Sequence, residues 1–83
     1  MSTTRETRER QISMDEVNAL SIGCRVNIHG VDADGNHRVL ECTIAGCFDG
    51  KVLKHKFLIY RDHGQIRKCA LREYPGKYYT KVW

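Results

Sequence analysis

Basic and aromatic residues are interleaved in the last third of the chain, a pattern typical of proteins that hold an extended polyanion. The final eight residues, GKYYTKVW, place Lys81 between Tyr79 and Trp83. A lysine or arginine neutralises a phosphate, while an aromatic face stacks on any base. We therefore predict one contact face for an anionic partner, preferably RNA or single-stranded nucleic acid. The predicted residues are Lys54, Lys56, Arg67, Lys68, Tyr79, Lys81 and Trp83.

Charge is divided unevenly along the chain, and the division supports this face. Residues 1–50 carry a net charge of −3, with five arginines and no lysine against eight acidic residues. Residues 51–83 carry nine lysines and arginines against Asp62 and Glu73, a net charge of +7. This asymmetry favours a polyanion as the partner of the C-terminal part.

Two other interpretations of the same residues stay open. Lysines and arginines also occupy the solvent side of any half-exposed sheet. A basic, aromatic face equally suits docking on an acidic protein surface. The alternative function is therefore a protein-interaction module: a small regulator or inhibitor, such as phages and mobile elements encode, that docks on a larger host machine.

Four cysteines and four histidines raise the question of a metal site. The sequence contains no CxxC or HxxxH pair, and structural zinc sites normally use such paired ligands. Cys42 also stands in register with Leu40 and Ile44, where a free thiol packs as a small hydrophobe. We predict reduced thiols, no metal and no cofactor.

Catalytic patterns are equally sparse, so we predict a binding module rather than an enzyme. Neither Ser13 nor Ser21 lies in a Gly-x-Ser-x-Gly elbow, and no phosphate-cradling glycine loop is present. His63 beside Asp62 resembles half of a general-base pair, yet turn chemistry explains RDHG as well. RNA cleavage by a histidine and an arginine stays open as an alternative.

The length of 83 residues allows one small domain. Residues 1–11 are polar, with alternating charge and no apolar anchor, so we predict a flexible charged tail followed by a single domain at residues 12–83. Ser13 and Glu16 have the spacing of a capping box, and Ile12 is placed to pack on Val17. A short helix over residues 14–20 is predicted.

From Gly23 onward the apolar period changes from helical to two, which predicts strands. Asp34-Gly35, Asp49-Gly50, His63-Gly64 and Pro75-Gly76 mark four turns between five strands. The fold class predicted is mainly β: a five-stranded antiparallel small barrel with one short N-terminal helix. Its predicted core is Leu20, Val26, Ile28, Leu40, Ile44, Phe57, Ile59, Leu71 and Val82.

Some local patterns resemble the Sm-like family. LSIGCRVNI is similar to the Leu-x-Gly-x-x-Val-x-Val entry into that family's first strand, with one extra residue before Gly23. Phe48-Asp49-Gly50 resembles the family's Phe-Asp turn, and Ile66-Arg67 its Ile-Arg motif, although Lys68 replaces the glycine that follows. The resemblance covers about residues 14–71 and implies a small bent barrel that binds RNA as a ring. An SH3-like or Tudor-like barrel fits equally well and implies peptide or protein binding.

The remaining expectations concern localisation and assembly. The charged start and the lack of any apolar run of about 18 residues predict a cytoplasmic protein without membrane contact. FLIY and YYTKVW are two β-prone stretches, so a homo-oligomer that pairs through strand edges is also expected.

Overall fold

One antiparallel sheet and one short helix make up the fold. The structure is a computed structural model that describes residues 8–83. Its elements in chain order are β1 (Glu9–Ile12), α1 (Met14–Ala19), β2 (Arg25–Val31), β3 (His37–Asp49), β4 (Val52–Asp62), β5 (Gln65–Ala70) and β6 (Tyr78–Val82). Within the described residues, no helix has the length and apolar character needed to cross a membrane.

The sheet has six strands in the order β1-β6-β2-β3-β4-β5, and every neighbouring pair is antiparallel. The predicted mainly β, antiparallel character with one N-terminal helix is confirmed. The predicted strand number is wrong, and the sheet is not closed, because β1 and β5 stand at its two edges. The last strand, β6, pairs with β1 on one side and with β2 on the other, so the C-terminal segment lies inside the sheet.

The additional strand comes from the segment predicted as a tail. Residues 9–11 of that tail belong to β1, which pairs with β6 from Glu9↔Val82 to Ile12↔Tyr79. Ile12 is the one buried side chain of this strand, and its other three residues are exposed. A strand with a single buried side chain leaves little apolar signal in the sequence. The rest of the predicted tail, residues 1–7, lies outside the described residues.

All four predicted turns are present. Gly35, Gly50, Gly64 and Gly76 all have positive φ. The β4–β5 hairpin turns on His63 (φ +49°) and Gly64 (φ +81°), and two successive positive φ values match the right-handed twist of the flanking strands. Glycine tolerates this conformation without a steric cost.

The helix begins as predicted. The Ser13 hydroxyl accepts a hydrogen bond from the Glu16 N–H at 3.2 Å, and the Glu16 carboxylate accepts one from the Ser13 N–H at 3.4 Å. This is the predicted capping box. The helix ends at Ala19, one residue earlier than expected, and its fully buried Val17 anchors it to the core.

The two faces of the sheet differ in what covers them. Successive strand residues alternate between faces. One face carries Val26, Ile28 and Leu58, which pack in one cluster with Val17 of α1. We call this the inner face. The opposite, outer face carries Ile59 and the other residues of alternate register, and no helix of residues 8–83 covers it.

Most of the predicted core is present, but its register in β4 is wrong by one residue. Leu58 is fully buried, whereas Phe57 and Ile59 are half-buried on the outer face. Four consecutive apolar residues, FLIY, do not alternate, so periodicity alone cannot select the inward-facing one. The remaining predictions have these outcomes: Val26, Ile28 and Ile44 are buried in the core; Val82 is buried on the outer face; and Leu20, Leu40 and Leu71 are half-buried against the core.

This register leads to a stability prediction. Leu58→Ala is expected to lower the free energy of unfolding by about 2 to 5 kcal/mol, because it leaves a cavity in the core. Ile59→Ala removes the same number of carbon atoms from the half-buried neighbour and is the matched control. Urea unfolding of both variants measures the difference. An Ile59→Ala loss as large as that of Leu58→Ala would contradict the assigned faces.

Candidate nucleic-acid interface

The predicted residues Lys81 and Trp83 meet Arg10 at one corner of the inner face, which we call the C-terminal corner (Arg10, Lys81, Trp83). Arg10 and Lys81 are partners in the β1–β6 register. The Trp83 N–H donates to the Arg8 carbonyl oxygen at 2.9 Å, so backbone pairing continues past the end of β6. The last residue is therefore held by hydrogen bonding on a strand rather than left as a frayed end.

Two cations lie over the indole ring. The Lys81 Nζ is 4.9 Å and the Arg10 Cζ 5.8 Å from the ring centroid. Arg10 also pairs with the Glu16 carboxylate of α1, with 3.0 Å between Nη2 and Oε2. The indole remains 57% exposed. The corner thus combines an accessible aromatic surface with two cations, of which Arg10 is ion-paired with Glu16.

Tyr79 does not belong to this surface. It is 6% exposed in the core cluster, and its hydroxyl donates to the Arg72 carbonyl oxygen at 2.7 Å. Burial raises the pKa of Tyr79 to about 12. The structure thus places Tyr79 in the core instead of on the surface, because alternation in YYTKVW gives no indication of which side is covered by α1 and which by solvent.

Lys56 has a structural role in this fold. Its Nζ donates to the carbonyl oxygens of Asn18 and Leu20, at 2.9 and 2.7 Å. A helix leaves its last carbonyl groups without intrahelical partners, and a cation there also opposes the negative end of the helix dipole. Lys56 thereby fastens the end of α1 to β4.

Arg67 and Lys68 are neighbours in β5, so their side chains lie on opposite faces. The Arg67 Nε donates to the Asp62 carboxylate at 2.8 Å. Arg67 therefore engages the Asp62 carboxylate, which the sequence places beside His63. The His63 Nε2 lies 3.5 Å from the same carboxylate, and its imidazole is almost fully exposed. Lys68 lies over the Phe57 ring on the outer face, 5.3 Å from its centroid.

Lys54 lies in a bulge near the tip of the long β3–β4 hairpin. Cys47 pairs with His55 and Phe48 with Leu53, so Lys54 has no partner in this register. Its Nζ is 3.4 Å from the Asp49 carboxylate, and both side chains are more than half exposed. Exposed ion pairs of this kind contribute little to stability.

The register shows how far apart the predicted residues are. One row of paired residues crosses the whole inner face, with Lys81 near one edge and Arg67 at the other. At about 4.8 Å per strand spacing, four spacings separate these two backbones by roughly 19 Å measured along the sheet. The predicted single face is therefore divided. The row consists of Arg10, Lys81, Val26, Cys42, Tyr60 and Arg67.

A hydrogen-bonded group on the outer face was not predicted. We call it the outer-face cluster: Glu9, His29, His37, Tyr78 and Thr80. Tyr78 stacks on His29, with ring centroids 4.8 Å apart and 5° between planes. The sequence signal for this cluster was the position of His29 on the polar side of β2. Glu9 was assigned to the predicted tail, so its contact with His29 was not expected.

The hydrogen-bond acceptors in this cluster determine which ring nitrogens of the two histidines carry a proton. The His29 Nε2 contacts the Glu9 carboxylate, and the Thr80 hydroxyl donates to the same carboxylate at 2.5 Å. Ionised Glu9 can only accept, so Nε2 of His29 carries a proton. In neutral His29 the Nδ1 then accepts from the Nε2–H of His37, with 3.0 Å between the nitrogens.

The hydrogen bond from Thr80, together with that from His29, lowers the pKa of Glu9 below its ordinary value of 4.5. These bonds favour the charged form because they are made to the carboxylate. Glu9 lies on the edge strand β1, while Thr80 and His29 lie on β6 and β2. The ionised carboxylate therefore helps to hold three strands together.

Two of the four cysteines, Cys42 and Cys69, show the features of unreactive thiols. All four are free, and burial raises the pKa of Cys42 to about 12. Burial also raises the pKa of Cys69. A thiol must ionise to act as a nucleophile or a metal ligand. Among residues 8–83, no group of three or more Cys, His, Asp or Glu side chains is arranged to hold a metal ion.

Comparisons with known proteins add no relative. No protein-family model matches the chain, and no curated protein or solved structure matches it either.

The lowered pKa of Glu9 predicts a pH dependence of stability. Ionised Glu9 stabilises the fold above pH 4.5, and this contribution is lost as the pH falls through the lowered folded-state pKa. Glu9→Gln keeps the shape but cannot ionise. We expect it to be less stable than the unaltered chain near neutral pH, with the difference shrinking as the pH falls below 4.5.

Urea unfolding of both chains across this range measures the effect. Glu41→Gln, an exposed carboxylate on β3, is the control and should leave the pH profile unchanged. A stability difference for Glu9→Gln that stays constant down to the lowest pH would contradict the proposed role of the carboxylate.

Proposed function

We propose that this protein binds single-stranded nucleic acid, RNA above all, through the C-terminal corner. The observation that carries the proposal is the exposed Trp83 indole with Lys81 and Arg10 over its ring. Single strands are typically bound by stacking of bases on aromatic faces beside cations that neutralise the backbone. The corner places both kinds of group within one nucleotide's reach.

The cation–π contacts of the free protein fit this use. A base that stacks on a ring face covered by a cation displaces that cation from the ring. The displaced ammonium of Lys81 then lies beside the stacked nucleotide, where a phosphate can accept its hydrogen bonds. The attraction between cation and ring is thus exchanged for stacking and a charge-assisted hydrogen bond.

The rest of the charge distribution is consistent with a polyanion. The net charge of the whole chain is +4, with the excess in residues 51–83. The bulk of this charge lies outside the corner and would act by raising the local concentration of an anionic strand. Of the seven residues expected from the sequence, Lys81 and Trp83 form the proposed contact and Tyr79 is buried. The other four act at most through the general field: Lys54, Lys56, Arg67 and Lys68.

Docking on an acidic protein surface is a second candidate, which the tip of the β3–β4 hairpin favours. Phe48, Val52 and Leu53 are 54%, 67% and 39% exposed there. Lys51 and Lys54 flank them. Exposed apolar groups with a polar rim are typical of protein contact sites. The tip and the C-terminal corner carry different residues, so variants can separate the two functions.

Loss of charge at the corner should weaken binding in a salt-dependent way. Lys81→Gln is expected to lower the affinity for a single-stranded oligonucleotide at low salt and to reduce the slope of log K against log salt by about 0.7, because one phosphate contact is lost. Fluorescence anisotropy with labelled RNA and DNA strands at several salt concentrations measures both quantities. Lys51→Gln is the control, an exposed lysine at the hairpin tip. Equal effects of the two variants would show that only net charge matters.

Loss of the indole should have a different signature. Trp83→Ala is expected to cost about 1 to 3 kcal/mol of binding free energy with the salt slope unchanged, as for a stacked base. Phe48→Ala removes an aromatic ring of similar exposure from the hairpin tip and is the matched control. If Phe48→Ala weakens binding and Trp83→Ala does not, the contact lies at the tip. Binding of no oligonucleotide at low salt would reject the function and favour protein docking.

A further inference from the structure

The outer edge of β5 is a free strand edge. β5 is the last strand of the sheet, and no strand of residues 8–83 pairs with its other side. Five of its six residues are exposed, and Ile66 is 66% exposed. Alternate residues of an edge strand direct their N–H and C=O groups away from the sheet, where they can pair with another chain.

We propose that this edge binds an extended acidic segment of another protein, which pairs with β5 as an added antiparallel strand. Backbone hydrogen bonds give such strand addition its affinity, and alternate side chains give it specificity. The proposal does not depend on the C-terminal corner, which lies at the opposite end of the strand order.

Charge at the centre of β5 identifies the partner as acidic. Arg67 on the inner face, which is already paired with Asp62, and Lys68 on the outer face are the two middle cations of the strand. Arg61, on β4, pairs with Ile66 and is a second cation on the outer face beside Lys68. An incoming strand would place its side chains directly opposite these groups, and opposite charges across strands are stabilising.

The same charges disfavour a second copy of this chain. Two antiparallel β5 edges related by a two-fold axis keep their inner faces on the same side. If the axis passes beside Arg67, this residue lies opposite Arg67 of the second copy. If it passes beside Lys68, the two copies of Lys68 lie opposite each other. Like charges directly opposite each other are destabilising, and charged side chains are a usual protection of sheet edges.

The residues of β5 specify a pattern for the added strand. Ala70 favours an apolar neighbour that needs no backbone hydrogen bond at this position, because the Ala70 carbonyl oxygen already accepts from the Tyr74 hydroxyl at 2.6 Å. Cys69 favours an apolar neighbour, Lys68 and Arg67 favour acidic ones, and Ile66 favours an apolar one. An antiparallel segment would therefore have the order apolar, apolar, acidic, acidic, apolar.

A groove on the outer face adjoins this edge. It has a volume of about 580 Å³, and its lining includes Ile59, Arg61 and Ile66 from the two strands nearest the edge. Its lining is mixed: Ile59 and Ile66 offer an apolar contact to the added strand, while Arg25, Asn27 and Glu41 make much of the rest polar. β1, at the other edge, has only four residues, and its Glu9 carboxylate is already engaged by His29 and Thr80.

A synthetic capped peptide with the core Val-Leu-Asp-Asp-Ile is the probe. The full chain, labelled with nitrogen-15, is titrated with it while amide chemical shifts and hydrogen exchange are measured. We expect saturable shifts and slowed exchange within residues 65–70. The matched peptide Val-Leu-Lys-Lys-Ile should bind on the order of tenfold more weakly or worse, because it places like charges together.

Two controls test the mode of binding. A peptide with the acidic core but N-methyl groups on alternate amides cannot donate to the edge and should lose binding. Lys68→Glu, checked for folding by circular dichroism, should lower the affinity for the acidic peptide and raise the affinity for the lysine peptide. Trp83→Ala should leave the peptide titration unchanged, so failure of the nucleic-acid function would not alter this result.

Several results would overturn the proposal. They are an absence of shifts in residues 65–70 up to millimolar peptide, equal binding of the acidic and lysine peptides, and undiminished binding of the N-methylated peptide. If hydrogen exchange of the β5 amides becomes slower as the protein concentration rises, with no peptide present, the edge binds a second copy of the chain. Slowed exchange of β5 on addition of an oligonucleotide, with none on addition of peptide, would assign it to nucleic acid.

Discussion

Insertion of β6 between β1 and β2 is the interaction on which the rest of the structure depends. This strand buries Tyr79 in the core on the inner face and Thr80 within the outer-face cluster. Among residues 8–83 it is the strand with which β1 pairs, and the hydrogen bond from Trp83 to the Arg8 carbonyl oxygen continues this pairing. Without β6, β2 would become an edge, and the aromatic and basic groups of the C-terminal corner would have no common support.

A single sheet with one short helix leaves its two faces in different environments. α1 covers only part of the inner face, and Val17 is its one fully buried residue. The outer face gains local order from the Glu9–His29 contact instead of from a second layer. Elsewhere on it, Val39 and Ile66 remain 45% and 66% exposed. An open antiparallel sheet can present such a face to water or to a partner.

The sequence contains enough information for most local elements. Ser13 and Glu16 predict the start of the helix, and the glycine-containing turns predict the hairpins, because both depend on residues close in the chain. The signal fails where a decision depends on distant residues. β1 exists because residues 9–12 meet residues 79–82, and FLIY turns Leu58 inward because α1 covers that side of the sheet. Neither contact leaves a periodic pattern.

The candidate site was predictable to the same extent. Lys81 and Trp83 are close in sequence and remain together. Lys56 instead donates to carbonyl oxygens at the end of α1, a contact that no sequence spacing predicts. Tyr79 was misassigned because alternation identifies two faces without identifying which one is covered. Arg10 was missed because its contact with Trp83 joins residues near opposite ends of the chain.

The arrangement of the strands also implies an order of assembly. β2 to β5 form a meander of consecutive hairpins, and each hairpin closes a short loop. The pairs of β6 with β2 and β1 join residues about 50 to 70 positions apart, as Asn27↔Thr80 and Glu9↔Val82 do. Closing longer loops costs more conformational entropy and slows folding. The meander should therefore form first, and a partly folded chain would expose β2 as a second unpaired edge until the C-terminal segment closes over it.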